Sequence, residues 1–494
     1  MMKNVKKNVI FSGVGYILPL IAALVTIPLM VKYLGTDLYG LYAICISLVG
    51  FMTLVDLGVG QTVVKYVAEY EATNRQDEVK PVLDIALLIY LVIGLCTAGL
   101  LYMFSAELGR AFYDSADDNK RVLAQSVLHL TAIALLFSYV NQFFLNVCKA
   151  YHRFDMPALI QNVGNLGGIV VSSIILILGY SIKEVMMGYV AIYFTALLIG
   201  YFSCLSVLPP NVKLGASFNK VVFKRIISFS FYTFVGNFVT ALTSRADKLL
   251  IGGIIGTEAV TYYQIPYTIA QMANGIVHTL VQITFPRFSE LSGLEENEKL
   301  LALYKKVTLL ILVISTMIAV LLISAGGEFL KLWLSPDFAQ KTTLTLQIAA
   351  AYFFLQANIV TSYWVIQSKG NAQLIAWIAI VGAIAYFFSV YYLGAHYSYN
   401  GATLALFALL APVPIWFFWL EHHVGHSFLE YLAWIMLAAF IGLVVSYLML
   451  KLNAMINNGL LAILTDGMIV VGIPVLVAWL FFRKNALSSI HLYG

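Results

Sequence analysis

Three charged residues, Arg245, Asp247 and Lys248, stand at the end of an apolar stretch where hydrocarbon leaves them little water. Arg245 and Lys248 are three positions apart and share a helix face, while Asp247 is turned about 200° from Arg245. A guanidinium fork beside an ammonium can hold an anion; the same two side chains can instead reach toward headgroups and form a local ion pair. Asp56 lies between Gly50, Gly58 and Gly60, where it could serve as a gate or proton site, or as an acceptor for helix-end amides. Lys65 with Glu69 and Arg287 with Glu290 are spaced i,i+4 and i,i+3. Each set can pair within its own helix, and the two together could close a gate across helices. Asn141, Gln142, Asn146 and Asn358 fall in apolar segments, where amides suit either a hydroxylated ligand or helix-to-helix hydrogen bonds. His129 and His278 can carry protons, although a packed or bonded histidine is the plainer reading.

The elements that carry these residues are membrane helices. Of the 494 residues, 61% are hydrophobic and 11% charged, and the mean hydropathy is +0.88. Stretches of about 20 apolar residues recur between short polar turns, which implies an all-α polytopic membrane protein with about fourteen transmembrane helices. Strands of a membrane barrel would alternate polar and apolar residues instead. The net charge of +5 is spread among short loops and gives no nucleic-acid surface. Cys45, Cys96, Cys148 and Cys204 form no paired or metal-like cluster and read as packing residues. The basic start MMKNVKKNVIF leads into an apolar run too long for a signal peptide, so it is expected to be a retained first anchor. Lys and Arg favour alternate loops in the pattern that puts both termini in the cytoplasm and the loop from Ser105 to Val122 outside.

An internal repeat organises the spans. YLGTDLYGLYAI (Tyr33 to Ile44) returns as IIGTEAVTYYQI (Ile254 to Ile265), an offset of 221 residues. Without a gap the offset pairs Gly35 with Gly256, Thr36 with Thr257, Asp37 with Glu258, Glu107 with Glu328 and Arg110 with Lys331. Later the offset shortens, and Leu178-Gly179 faces Leu393-Gly394. An even number of spans separates the copies, so the repeat is parallel, and parallel repeats support alternating access by rocking of two lobes. The expected organisation is an N-lobe over 1–208, a C-lobe over 226–420, each of six helices, two additional spans over 429–482 and a cytoplasmic tail over 483–494.

The segment from Lys32 to Tyr70 carries Leu34, Gly35, Tyr39, Gly40, Asp56, Leu57, Gly58, Gly60, Lys65, Tyr66, Ala68 and Glu69 in the order LG, YG, DLG.G, K-Y-x-A-E. This run resembles the signature of the polysaccharide transporter family, the oligosaccharide-repeat or O-antigen flippases of the multidrug/oligosaccharidyl-lipid/polysaccharide exporter superfamily. The second copy, with Arg245, Asp247, Gly252, Tyr263, Pro286 and Glu290, is similar to it too. Many members of that family stop at twelve spans. The resemblance implies a polyprenyl-pyrophosphate-linked oligosaccharide as substrate, carried from the cytoplasmic to the outer leaflet of the inner membrane for cell-surface polysaccharide such as lipopolysaccharide. It leaves a cation-coupled multidrug exporter and a peptidoglycan-precursor flippase as the alternatives within the superfamily. Membrane lipids and other polysaccharide-assembly membrane proteins are the further partners it implies.

For such a substrate the pyrophosphate would cost tens of kcal/mol to bury bare in hydrocarbon, so the head needs a wet cavity. Arg245 and Lys248 would then compensate the phosphates, Asn141, Gln142, Asn146 and Asn358 would meet the sugars, and Asp56, Asp247, Lys65, Glu69, Arg287 and Glu290 would gate or couple. The chain has no GxxxxGK[ST] segment and no loop long enough for an ATPase domain, and no cofactor or metal is expected. A polymerase or glycosyl ligase should carry a large outer loop with catalytic groups, which this sequence lacks, so no enzyme is expected.

Overall fold

The computed structural model describes residues 2–54, 59–72, 75–113, 118–151, 153, 155–210, 212, 214–215, 217–224, 226–227, 246–456 and 458–472; side chains up to Ile21 and at scattered later positions lie outside that description. Its regular elements are helices, as hydrocarbon demands of chains that must satisfy each backbone N–H and C=O within their own segment. Eight of the described helical stretches are long and apolar enough to cross a bilayer by themselves. Large side chains such as Trp377, Phe388, Leu429 and Phe440 are mostly bare, a surface suited to lipid rather than water. The protein is a multi-pass, all-α membrane protein.

Packing divides the chain into two compact units, Met1–Thr261 and Tyr262–Gly494. The first contains α1 (Met2–Leu54), bent at Gly35, then α2 (Val59–Ala72), α3 (Gln76–Met103) and the short α4 (Ser105–Phe112). It continues with α5 (Asp118–Ala150), α6 (Asp155–Asn162), α7 (Gly168–Ile177), α8 (Ile182–Val207) and α9 (Asp247–Ile254). Val63, Val67, Tyr90, Tyr139 and Phe143 are wholly buried between α2, α3 and α5. The unit extends to Thr261 because α9 seats on its helices: a Cβ at Gly252 would lie 2.6 Å from Ile44 Cδ1 and 3.5 Å from the ring of Phe112. Beyond α8 the chain is tied back to α3. Asp84 accepts the Gly215 N–H at 2.8 Å and the Ser217 hydroxyl, with Lys80 at 2.6 Å on the same carboxylate.

The helix α10 (Thr257–Gly293) leads into the second unit, which comprises α11 (Asn297–Ser324), α12 (Gly326–Trp333), α13 (Pro336–Ser368), α14 (Ala372–Leu404), α15 (Pro414–Val424), α16 (Phe428–Met455) and α17 (Gly459–Gly467). Helix boundaries bear the repeat out. The ends of α3 and α4 recur at an offset of 221 in α11 and α12, and α5 and α13, each of 33 residues, are displaced by 218. The short α4 and α12 each carry an acid in the first turn and a base in the last, Glu107 with Arg110 and Glu328 with Lys331, the order the helix dipole favours. Of the stretch from Ser105 to Val122, expected as an outer loop, Ser105–Phe112 forms α4, with Ser105, Gly109 and Phe112 buried on one side, and α5 begins at Asp118.

Candidate functional site

The repeated turns bring the polar residues of both copies together. Gly35 and Gly256 take φ of 75° and 111°, conformations that cost glycine little, and each is followed by a threonine and an acid that open a helix. The copies then bond reciprocally. Thr36 Oγ1 donates to Glu258 Oε1 at 3.2 Å, and Thr257 Oγ1 donates to Asp37 Oδ1. Thr261 Oγ1 adds a bond to the Thr36 carbonyl at 2.5 Å. Each threonine thus meets the acid of the other copy, an exchange expected of an approximate two-fold axis between repeats.

Small side chains permit the approach. At Gly40 a Cβ would fall 1.8 Å from the Thr257 carbonyl oxygen, so α1 and α10 touch through backbone there. Asp37 has a second attachment: Lys120, on the first turn of α5, reaches its Oδ2 at 2.8 Å. One carboxylate therefore ties α1 to α5 through one oxygen and to α10 through the other. Thr36, Asp37, Gly40, Thr257 and Glu258 were not singled out from the sequence as site residues. Four of the five were nevertheless visible as polar matches of the repeat.

The residues expected to bind substrate are placed differently. Arg245 and Asp56 lie outside the described residues, and so do the side chains of Lys65 and Glu69 on α2. Lys248 is buried, at 5% exposure, in the first turn of α9, which starts at Asp247. Asp247 Oδ1 accepts the Lys248 backbone N–H at 2.8 Å and lies 3.3 Å from its Nζ, so in the first turn the acid meets both the backbone and the side chain of the lysine. The local ion pair that the sequence offered for Lys248 is thus present, with Asp247 as its partner. Arg287 and Glu290 pair with each other at 2.5 Å on one helix, each side chain half-exposed.

The amides occupy helix contacts. Asn146 donates to the Tyr90 hydroxyl at 3.0 Å, joining α5 to α3, and Asn358 donates to Ser315 Oγ at 3.0 Å and to the Phe354 carbonyl at 2.7 Å. Asn141 is buried with its oxygen against Gly200, where a Cβ would stand 2.4 Å away, and Gln142 is half-buried beside it. His129 bonds Ser105 at 2.8 Å and stacks on Tyr102.

A family model described as polysaccharide biosynthesis protein matches residues 5–292 of this architecture, more than half the chain. The chain belongs to that family. A relative named "Putative O-antigen transporter" in Shigella flexneri is 20% identical over 403 residues, which cover 81% of this chain and 94% of the relative. A protein of the same name in Escherichia coli (strain K12) is 21% identical over 435 residues, 82% of this chain and 94% of the relative. Among solved structures, a lipid II flippase, MurJ, in an inward closed conformation aligns with a TM-score of 0.76 at 17% identity, covering 97% of this chain and all of that one. An inward-facing multidrug resistance MATE transporter of the MOP superfamily aligns at 0.66 with 12% identity, over 83% of this chain and 94% of that one. The chain shares its all-α fold with both of these solved structures.

Proposed function

We propose that this family member is a flippase that carries a polyprenyl-pyrophosphate-linked oligosaccharide from the cytoplasmic to the outer leaflet of the inner membrane, for surface polysaccharide assembly. Family membership and the O-antigen relatives support the substrate class. The observation that carries the mechanism is the reciprocal junction of Thr36–Asp37 with Thr257–Glu258. Its bonds are few and partly exposed, and they join the same segment of two parallel repeats, as an outer gate must if the repeats rock apart. Gly40 sets the closing distance. Lys120 remains on Asp37 when Thr257 departs, so the carboxylate keeps a counter-ion in the open state.

The head group then needs a water-filled path while the prenyl tail stays in lipid. Arg245, just before Asp247 in the sequence, supplies phosphate compensation as the bidentate contact, and Lys248 can join it by leaving Asp247. A pyrophosphate carries about two negative charges, and outward movement from a negative interior gains roughly 2.3 kcal/mol per charge per 100 mV. Membrane potential can therefore drive export without a coupled ion. Deleting the gene tests the assignment. A lipid-linked glycan should accumulate on the cytoplasmic leaflet and surface polysaccharide should vanish; accumulation of a peptidoglycan precursor, or no change beyond drug sensitivity, refutes it.

A further inference from the structure

The two helices beyond the repeat carry an acid with unused bonding capacity. Asp466, on α17, is wholly buried. Its Oδ2 accepts from Ser324 Oγ at the end of α11 at 2.6 Å and from Asn453 Nδ2 near the end of α16 at 3.0 Å. Asn453 Nδ2 also reaches the Ser324 carbonyl at 3.4 Å. Asp466 Oδ1 and Asn453 Oδ1 are both buried and receive no hydrogen bond. No Lys, Arg or His among the described residues pairs with this carboxylate; Lys331, on the wall of the adjoining cavity, is engaged with Glu328 at 3.3 Å.

On α16 and α17, beside Ser324 of α11, stand two buried oxygens that can only accept, and an ionised carboxylate without a counter-charge is costly in such a place. A cation removes that cost, and hard oxygen donors from a carboxylate, an amide and a hydroxyl or main-chain carbonyl suit an alkali ion. One carboxylate balances one charge. A divalent ion would call for more acidic ligands, and the described residues contain no group of three His, Cys, Asp or Glu able to hold a metal. The neighbouring cavity, about 440 Å³ and lined by Ser324, Glu328, Lys331, Gln347 and Asn453, gives a hydrated ion a polar approach. We propose that Asp466, Asn453 and Ser324 bind a sodium-sized monovalent cation, which fastens the α16–α17 pair to the end of α11. The site stands apart from the repeat junction and does not depend on the transported substrate.

The test uses the full-length protein in nanodiscs, with sodium chloride titrated against choline chloride at constant ionic strength and the unfolding midpoint read by intrinsic fluorescence. The wild type should show a saturable upward shift with sodium and a smaller one with potassium. Asp466→Asn should abolish the sodium dependence, and Asn453→Ala should raise the half-saturating concentration by about tenfold or more. If Asp466→Asn fails to fold, the wild-type titration and Asn453→Ala still decide. Absence of an ion-specific shift in the wild type overturns the proposal, as does an unchanged half-saturating concentration in the variants. A midpoint that responds to pH and ignores sodium overturns it too, by identifying a proton as the occupant.

Discussion

Replacing Gly40 by alanine should open the junction between the two repeat copies. The new Cβ would lie 1.8 Å from the Thr257 carbonyl oxygen, 2.6 Å from its carbon and 3.0 Å from Thr261 Oγ1. Carbon–oxygen contacts normally begin at about 3.3 Å, so the helices must separate by about 1.5 Å. That displacement breaks Thr257–Asp37, Thr36–Glu258 and Thr261–Thr36 together. Counting the part-buried carboxylate bond at about 1.5 kcal/mol, the carbonyl bond at about 1 and the exposed pair at about 0.5, the closed junction loses about 3 kcal/mol. At 1.4 kcal/mol per factor of ten, its population relative to the open form falls roughly 100-fold. The readout is labelling by a membrane-impermeant thiol reagent at Val260→Cys, a wholly buried position one helical turn past Thr257, quantified on the labelled peptide. Labelling should rise steeply with Gly40→Ala and stay flat with Gly253→Ala, where a Cβ meets open space. Normal amounts of Gly40→Ala protein with unchanged labelling and undiminished polysaccharide export would show that this contact does not hold the junction closed.

Other expectations follow from individual contacts. Asp84→Ala should free the segment after α8 at a cost of about 2 kcal/mol, read as faster proteolysis between residues 209 and 219, with Asp84→Asn intermediate. His426 is buried between α15 and α16, its Nδ1–H donated to the Ser427 carbonyl and its ring edge-on to Tyr304 and Trp434, and burial holds its pKa below the ordinary histidine value. The unfolded chain therefore takes up a proton that the folded chain refuses. Stability should fall as pH drops through about 6.5, by at most about 1.4 kcal/mol per pH unit from this residue, and His426→Asn should remove that part of the slope in thermal melts. Arg245→Ala should impair export more than Arg245→Lys, which keeps the charge and loses only the fork; equal, full restoration of surface glycan by the alanine variant would show that the residue serves elsewhere.

Helix class and repeat were legible in the sequence because both rest on local signals, apolar length and matched polar residues at one offset. The 221-residue shift seen in Thr36 and Thr257 reappears in the limits of α3 and α11. What those residues do was not legible. A parallel repeat predicts similar environments for Asp37 and Glu258, whereas their exchange of threonines arises only when the two copies face each other. For Lys248 the local ion pair was legible, but not its setting: it was expected near the end of a span, whereas a helix starts at Asp247 and carries it in the first turn. Asp84 and Asp466 gave no signal at all. Each looks like one acid in an apolar helix, and their partners at Ser217, Ser324 and Asn453 come from distant segments.

Movement of a lipid-linked oligosaccharide across a bilayer is the activity that matters most to measure. Purified protein in liposomes carrying a polyprenyl-pyrophosphate oligosaccharide on the inner leaflet, with an imposed inside-negative potential, measures this through the arrival of sugar at an external glycosidase. The wild type should expose the glycan at a rate that rises with the potential and needs no pH or sodium gradient, and Gly40→Ala should transport far more slowly at equal protein. A rate no higher than that of protein-free liposomes, with the full glycan of the source cell as substrate, would contradict the account.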